Sequence, residues 1–158
     1  MDTIASKETF IAALVTALGA DAVRCGDAID PRHRADWSGV APVLPLALLR
    51  PTSTEQVAAA LRICHAHRIP VVPQGGMTGL AGGAVPSVGA VALSMERMNA
   101  IEQVDTVAAT ITVQAGATLQ AVQEAMPFDY LPEVAARIQP TVRTMLEAML
   151  AFAEKRER

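Results

Sequence analysis

The chain has 158 residues, of which 51% are hydrophobic and 3% aromatic, so it is the size of one domain with a core of alanine, valine and leucine. The formal net charge is −3 and no basic face is apparent, which argues against nucleic acid as a partner. A small-molecule ligand fits this composition better.

The first 35 residues predict one helix followed by a polar link. Ser6 is placed to cap the helix, and Gly19 is placed to end it. The apolar positions at helical spacing are Phe10, Ala13, Leu14, Ala17 and Leu18. A short strand is predicted at residues 22–25. In the link, His33 lies among charged residues and is expected to be solvated. Trp37, just after the link, is expected to be a packing residue.

The cysteines and the amino terminus point to the cytoplasm. Cys25 and Cys64 are far apart and form no C-x-x-C pair, so neither a redox dithiol nor a zinc site is expected. The amino terminus lacks the basic and long apolar regions of a secretion signal. Residues 69–96 carry no charge until Glu96, but their glycines and prolines make a transmembrane helix improbable.

Residues 43–72 predict a strand, a helix and a second strand. The first strand, at 43–49, is apolar on both faces, and Thr52 with Glu55 resembles a capping box for the helix. The expected buried stripe of this helix is Val57, Ala60, Leu61 and Cys64. A right-handed crossover makes the second strand, at 69–72, parallel to the first.

A glycine-rich loop at 73–83 follows that second strand. Glycines allow several backbone N–H groups to point at one anion, and no lysine or arginine lies between Arg68 and Arg97. Any phosphate bound here must therefore be held by backbone amides and the Thr78 hydroxyl. The loop lacks the lysine of a Walker motif, and Met77 and Ala84 break both registers of G-x-G-x-x-G.

Three further elements are predicted downstream of the loop. Residues 89–94 form a strand, 101–104 and 110–114 form a hairpin around a turn at 105–109, and 119–125 form a helix.

The loop sequence, P-x-G-G-x-T-G-L-x-G-G, resembles that of the FAD-linked oxidoreductases related to vanillyl-alcohol oxidase and p-cresol methylhydroxylase (PCMH). Within that family it is most similar to D-lactate, glycolate and D-2-hydroxyglutarate dehydrogenases. The similarity includes residues 50–57, 91–99 and 111–119, and it covers about residues 36–125.

The resemblance implies an α+β (α/β) fold, the first subdomain of a PCMH-type FAD-binding domain, with a small parallel or mixed sheet flanked by helices. It also implies FAD as the cofactor. The implied cofactor-binding residues are Pro73, Gln74, Gly75, Gly76, Met77, Thr78, Gly79 and Leu80. Some relatives have a histidine at the position of Met77 that bonds covalently to the flavin, so methionine implies noncovalent FAD.

Three regions follow from this resemblance: an amino-terminal helix and link at 1–35, a partial FAD-binding domain at 36–125, and a tail at 126–158 unlike the family. The tail predicts an amphipathic helix, as would arise from a fusion, deletion or frameshift. Its apolar stripe is Val142, Met145, Leu146, Met149, Leu150 and Ala153. This helix is expected to dock on the domain or to self-associate.

No catalytic or metal-binding residue is assigned. His65 and His67 are two apart on a helix and point in different directions, so they make a poor metal pair. In the family a substrate domain supplies the catalytic histidine, and this chain has no counterpart. Two functions remain open: the FAD-binding part of a 2-hydroxyacid oxidoreductase whose other half comes from a second chain, or a noncatalytic binding module.

Overall fold

The computed structural model describes residues 3–108 and 110–125, with side chains from residue 7 onward. The chain divides into two compact units, residues 1–118 and 119–158. The described part of the second unit is one helix, α3 (Leu119–Ala125), with the predicted bounds. The amphipathic stripe predicted at 142–153 lies outside the described residues.

The described residues of the first unit form two α-helices and six strands. The helices are α1 (Thr3–Leu18) and α2 (Thr54–Ala66). The strands are β1 (Val23–Arg24), β2 (Ala47–Leu49), β3 (Val71–Gln74), β4 (Val91–Ser94), β5 (Ile101–Asp105) and β6 (Thr110–Val113). Short 3-10 helices span Ala20–Ala22, Gly26–Ala28 and Pro31–His33. This mixed α+β architecture agrees with the predicted fold class.

The first four strands form one sheet in the order β1-β2-β4-β3. β1 is antiparallel to β2, whereas β2 and β3 are both parallel to β4. β2 and β3 therefore run in the same direction, as predicted, but β4 lies between them. The carboxyl ends of β2, β3 and β4 meet at one edge of the sheet, which is where α/β sheets usually bind ligands.

The helices cover one face of this sheet. Phe10, Leu14 and Leu18 of α1 share a core with Ala60 and Cys64 of α2 and with the alternate strand residues that face them. Those strand residues are Ala47, Leu49, Val91 and Leu93. On the opposite face, Leu48 and Ala92 pack with Ile29. Burial on both faces explains why β2 and residues 91–93 of β4 are continuously apolar; the last residue of β4, Ser94, is buried but polar.

The helix starts and buried stripes differ from the predictions in several details. α1 begins at Thr3, so Ser6 lies inside the helix rather than at its cap. α2 is capped by Ser53, whose hydroxyl accepts a hydrogen bond from the Gln56 N–H, so the predicted Thr52 cap is wrong. Ala17 and Leu61, both expected to be buried, are exposed.

The remaining strands form the predicted hairpin. β5 and β6 pair antiparallel, with a register shift between Ile101 and Gln103. The chain after β6 returns against the segment after β4, where the Gly116 N–H donates to the Met98 carbonyl oxygen at 2.8 Å. Among the described residues, no helix combines the length and apolar character needed to cross a membrane.

Candidate functional site

The glycine loop leaves the sheet at the carboxyl end of β3. Pro73 and Gln74, predicted to open the loop, are instead the last two residues of that strand. β3 is an edge strand, which tolerates the missing N–H of Pro73. The loop itself therefore spans Gly75 to Gly83, and it lies beside the carboxyl end of β4, where the Met95 N–H donates to the Gln74 carbonyl oxygen at 3.0 Å.

The loop presents a run of backbone N–H groups that have no hydrogen-bond acceptor among the described residues. From Gly75 to Gly83, no backbone N–H donates to a backbone or side-chain acceptor within the described part of the chain. All of these residues except Met77 and Gly82 are exposed, and none carries a charge. Unpaired N–H groups on an uncharged glycine loop fit a phosphate or pyrophosphate, so the residues present fit the pyrophosphate of a dinucleotide.

One of the two left-handed backbone positions in the loop is a methionine rather than a glycine. Met77 has φ 59° and Gly82 has φ 77°, whereas Gly76 has no positive φ. A Cβ added at Gly76 would have the Thr78 hydroxyl oxygen at 4.0 Å and nothing nearer. Gly76 is therefore free of backbone strain, and the predicted ligands Gly76 and Thr78 lie side by side.

A segment of residues 36–40, here called the flanking segment, runs along the loop. The Trp37 N–H donates to the Gly79 carbonyl oxygen at 2.9 Å. A Cβ added at Gly79 would lie 3.4 Å from Asp36 Oδ2, and one added at Gly82 would lie 3.1 Å from Val40 Cγ2. The glycines thus also allow the flanking segment to approach the loop closely.

Trp37 does not pack in the core. Its side chain is 72% exposed, so the expected packing role is wrong. The sequence did not predict that the flanking segment contacts the loop. The hydrogen bond to Gly79 joins residues far apart in the sequence, and no local pattern signals it.

Gln74 and His33 form a buried polar pair beneath the loop. Gln74 Nε2 donates to the carbonyl oxygens of His33 and Ala84, each at 3.0 Å, and Gln74 Oε1 lies 2.9 Å from His33 Nδ1. His33 is 3% exposed, so the expectation that it is solvated is wrong. Both ends of the Gln74 amide bond to the protein, so its side chain supports the segments on either side of the loop.

Asp36 places a carboxylate next to the loop. Its Oδ1 accepts the Ser38 N–H at 3.0 Å, and its Oδ2 is buried without a hydrogen-bond partner among the described residues. Hydrogen bonding from the Ser38 side chain lowers the pKa of Asp36, so the group is ionised at neutral pH. Because a carboxylate repels phosphate, an anion bound to the loop lies on the side away from Asp36.

A cluster of arginines lies at the same edge of the sheet. Arg32 and Arg50 both form ion pairs with Glu96, and Arg97 donates to the Arg50 carbonyl oxygen. Burial, and then the charges of Arg97, Arg24 and Arg32, lower the pKa of Arg50. These arginines were not predicted as a group, because they come from three separate segments that only the fold brings together.

One known protein family matches most of the chain. The sequence model of the family described as FAD binding domain matches residues 45–148. This range extends past residue 125, where the predicted resemblance ends.

Individual relatives are longer proteins. The chain is 46% identical over 90 residues to D-2-hydroxyglutarate dehydrogenase of Xanthomonas citri pv. viticola, which is 57% of this chain and 19% of that protein. It is 40% identical over 73 residues to glycolate oxidase subunit GlcD of Bacillus subtilis, which is 46% of this chain and 16% of that protein. The chain thus spans about a fifth or less of the length of these relatives.

Solved structures show the same fold. The crystal structure of p-cresol methylhydroxylase with substrate bound superposes with a TM-score of 0.66 and 27% identity, over 84% of this chain and 26% of that chain. Since the family match covers more than half of the chain, and the fold and loop agree with it, this chain belongs to the FAD binding domain family and has the PCMH-type fold.

Proposed function

We propose that residues 36–125 bind the pyrophosphate of FAD through the backbone N–H groups of the loop, with the Thr78 hydroxyl as an additional donor. The observation that carries this proposal is the run of unpaired N–H groups from Gly75 to Gly83 at the carboxyl ends of parallel strands. Among the predicted site residues, Gly75, Gly76, Met77, Thr78, Gly79 and Leu80 supply the donors. Pro73 and Gln74 position the loop from the end of β3.

The FAD is noncovalent in this proposal. Met77 stands at the position where some relatives have a histidine that bonds to the flavin, and methionine cannot form that bond. The cytoplasmic setting remains a proposal, with which the free thiols of Cys25 and Cys64 are compatible.

We further propose that this FAD-binding part serves an oxidoreductase acting on a 2-hydroxyacid. The relatives named D-2-hydroxyglutarate dehydrogenase and D-lactate dehydrogenase support this class. FAD supplies the site for accepting a hydride, and the residues described here bind and orient it. At the loop, the described side chains offer no solvent-accessible general base, because Asp36 and His33 are both buried. Turnover therefore requires a substrate-binding part from a second chain or another part of the same protein.

A noncatalytic FAD-binding module is the second candidate, because the loop has no accessible general base. One measurement separates this candidate from the oxidoreductase. Reduction of an artificial electron acceptor by D-2-hydroxyacids, in the presence of the remaining enzyme parts, supports the oxidoreductase.

Binding of FAD to the purified chain and to a Gly76→Val variant tests the proposal. Gly76 has ordinary φ and open space around its Cβ position, so valine leaves the fold intact but projects into the space next to the donors. Loss of one hydrogen bond to a charged group costs about 1.5–3 kcal/mol, which weakens FAD binding roughly tenfold to a hundredfold. Isothermal titration calorimetry measures the dissociation constants.

Ser87→Val is the control, because it places a valine at an exposed position before β4, at the opposite edge of the sheet. It should leave FAD affinity unchanged. Because the FAD is noncovalent in this proposal, acid precipitation of the wild-type complex should release all flavin to the supernatant. Equal FAD affinity in folded Gly76→Val and wild-type protein would refute backbone binding by the loop.

A further inference from the structure

Exposed apolar side chains on the loop and on the flanking segment are not explained by pyrophosphate binding. Trp37 is 72% exposed, Leu80 is 69% exposed and Val40 is 50% exposed. Trp37 is also the only tryptophan of the chain. Large apolar side chains left together in water usually mark a binding surface.

The position of Trp37 relative to the loop is fixed by its backbone. The Trp37 N–H donates to the Gly79 carbonyl oxygen, and Val40 on the same segment contacts the loop at Gly82. Asp36 is buried against the loop, whereas the next side chain, Trp37, is exposed to solvent. The indole is therefore accessible to a ligand that approaches the loop from solvent.

We infer that Trp37 stacks on the adenine ring of the dinucleotide whose pyrophosphate the loop holds. This inference rests on the proposed FAD function and extends it to a residue that selects the adenosine half. A ribose alone separates adenine from the pyrophosphate, whereas the longer ribityl chain separates the isoalloxazine. The ring on the shorter arm must rest close to the loop, where Trp37, whose N–H donates to Gly79, presents a large, flat and exposed side chain.

Indole chemistry suits this role. Tryptophan presents a large, rigid aromatic face, and stacking of a base on an aromatic side chain is worth about 1–3 kcal/mol when measured by alanine substitution. An uncharged loop gains affinity from such a contact without adding a cation next to Asp36.

The experiment compares three probes on the whole chain: inorganic pyrophosphate, ADP and FMN. Calorimetry measures affinity, and Trp37 fluorescence gives a second readout in the wild-type protein. In Trp37→Ala, ADP and FAD should bind roughly fivefold to 150-fold more weakly, the fold-change that corresponds to one stacking contact. Pyrophosphate affinity should stay unchanged, because it has no ring. ADP should also quench the fluorescence of wild-type protein.

Two variants separate stacking from a structural effect. Trp37→Phe retains an aromatic face and should recover most of the ADP affinity. Val88→Ala removes part of another exposed apolar side chain, 90% exposed and placed before the amino end of β4, and should change nothing.

The outcomes distinguish this inference from the proposed function. If wild-type protein binds neither pyrophosphate nor FAD, the proposed function and the inference are both refuted. Normal pyrophosphate binding with equal ADP affinity in wild-type and Trp37→Ala protein overturns the inference alone. Loss of FMN binding rather than ADP binding in Trp37→Ala assigns the indole to the isoalloxazine and overturns the adenine assignment.

Discussion

At the scale of single residues, the ring of His33 is held by neighbours whose hydrogen-bonding roles fix its protonation state. Gln74 Nε2 donates to two carbonyl oxygens, so Gln74 Oε1 is an acceptor and His33 Nδ1 carries the proton. Arg32 Nε lies 3.3 Å from His33 Nε2 and donates to it. The neutral ring therefore satisfies every polar atom, whereas protonation would put a second N–H against the Arg32 guanidinium.

This arrangement predicts a loss of stability in mild acid. Burial is the main cause that lowers the pKa of His33, Arg32 lowers it further, and the Gln74 hydrogen bond opposes them. Because the unfolded chain takes up this proton at a higher pH than the folded chain does, the free energy of unfolding should fall as pH drops below about 6.5. The loss levels off below the folded-state pKa.

Urea unfolding between pH 8 and pH 5 measures this dependence. His33→Asn cannot titrate, so it should show a flatter pH profile at lower overall stability. Asp36 stays ionised across this range, since its pKa is lowered, and does not contribute to the slope. An identical slope in wild-type and His33→Asn protein would rule out His33 as the source. Glu96 Oε2, 4.0 Å from His33 Nε2, would then be the partner that stabilises the charged ring.

At the scale of helices and strands, periodicity and turn residues predicted nearly all elements of the described chain. The hairpin and α3 appear where the sequence places them, because each depends on a local pattern. The predicted strand at 43–49 shortened to Ala47–Leu49 because Pro45 precedes it and cannot donate a ladder hydrogen bond. The insertion of β4 between β2 and β3, and the burial of His33, depend on contacts distant in sequence, which local patterns do not encode.

The junction between the hairpin and the sheet depends on one glycine. A Cβ at Gly116 would lie 1.9 Å from the Met95 carbonyl oxygen and 2.9 Å from that of Met98. These are backbone atoms held by neighbouring structure, so Gly116→Ala should destabilise the protein by about 3 kcal/mol.

Urea unfolding of Gly116→Ala beside Gly83→Ala tests this prediction. Gly83 has ordinary φ and nothing within 4 Å of its Cβ position, so its replacement should change stability little. Equal stability of the two variants would show that the return of the chain after β6 is not packed against the segment after β4.

At the scale of the whole molecule, the sheet brings three different groups of side chains and backbone donors to one edge. The carboxyl ends of the parallel strands place the uncharged loop, the exposed Trp37 and the arginine cluster around Glu96 in the same unit. The loop motif predicted the family, since its glycine pattern is specific. The supporting residues His33, Asp36 and Trp37 could not be assigned, because their roles arise from contacts with the loop that only the fold creates.

The arginine cluster is the main competitor for the pyrophosphate, because cations ordinarily bind phosphate in proteins. The measurement that decides between them is the change in backbone amide chemical shifts of the ¹⁵N-labelled protein on titration with FAD. Our account predicts that the largest saturable shifts fall on residues from Gly75 to Gly83. Saturable binding with the largest shifts at Arg32, Arg50 and Arg97, and an unperturbed loop, would contradict it.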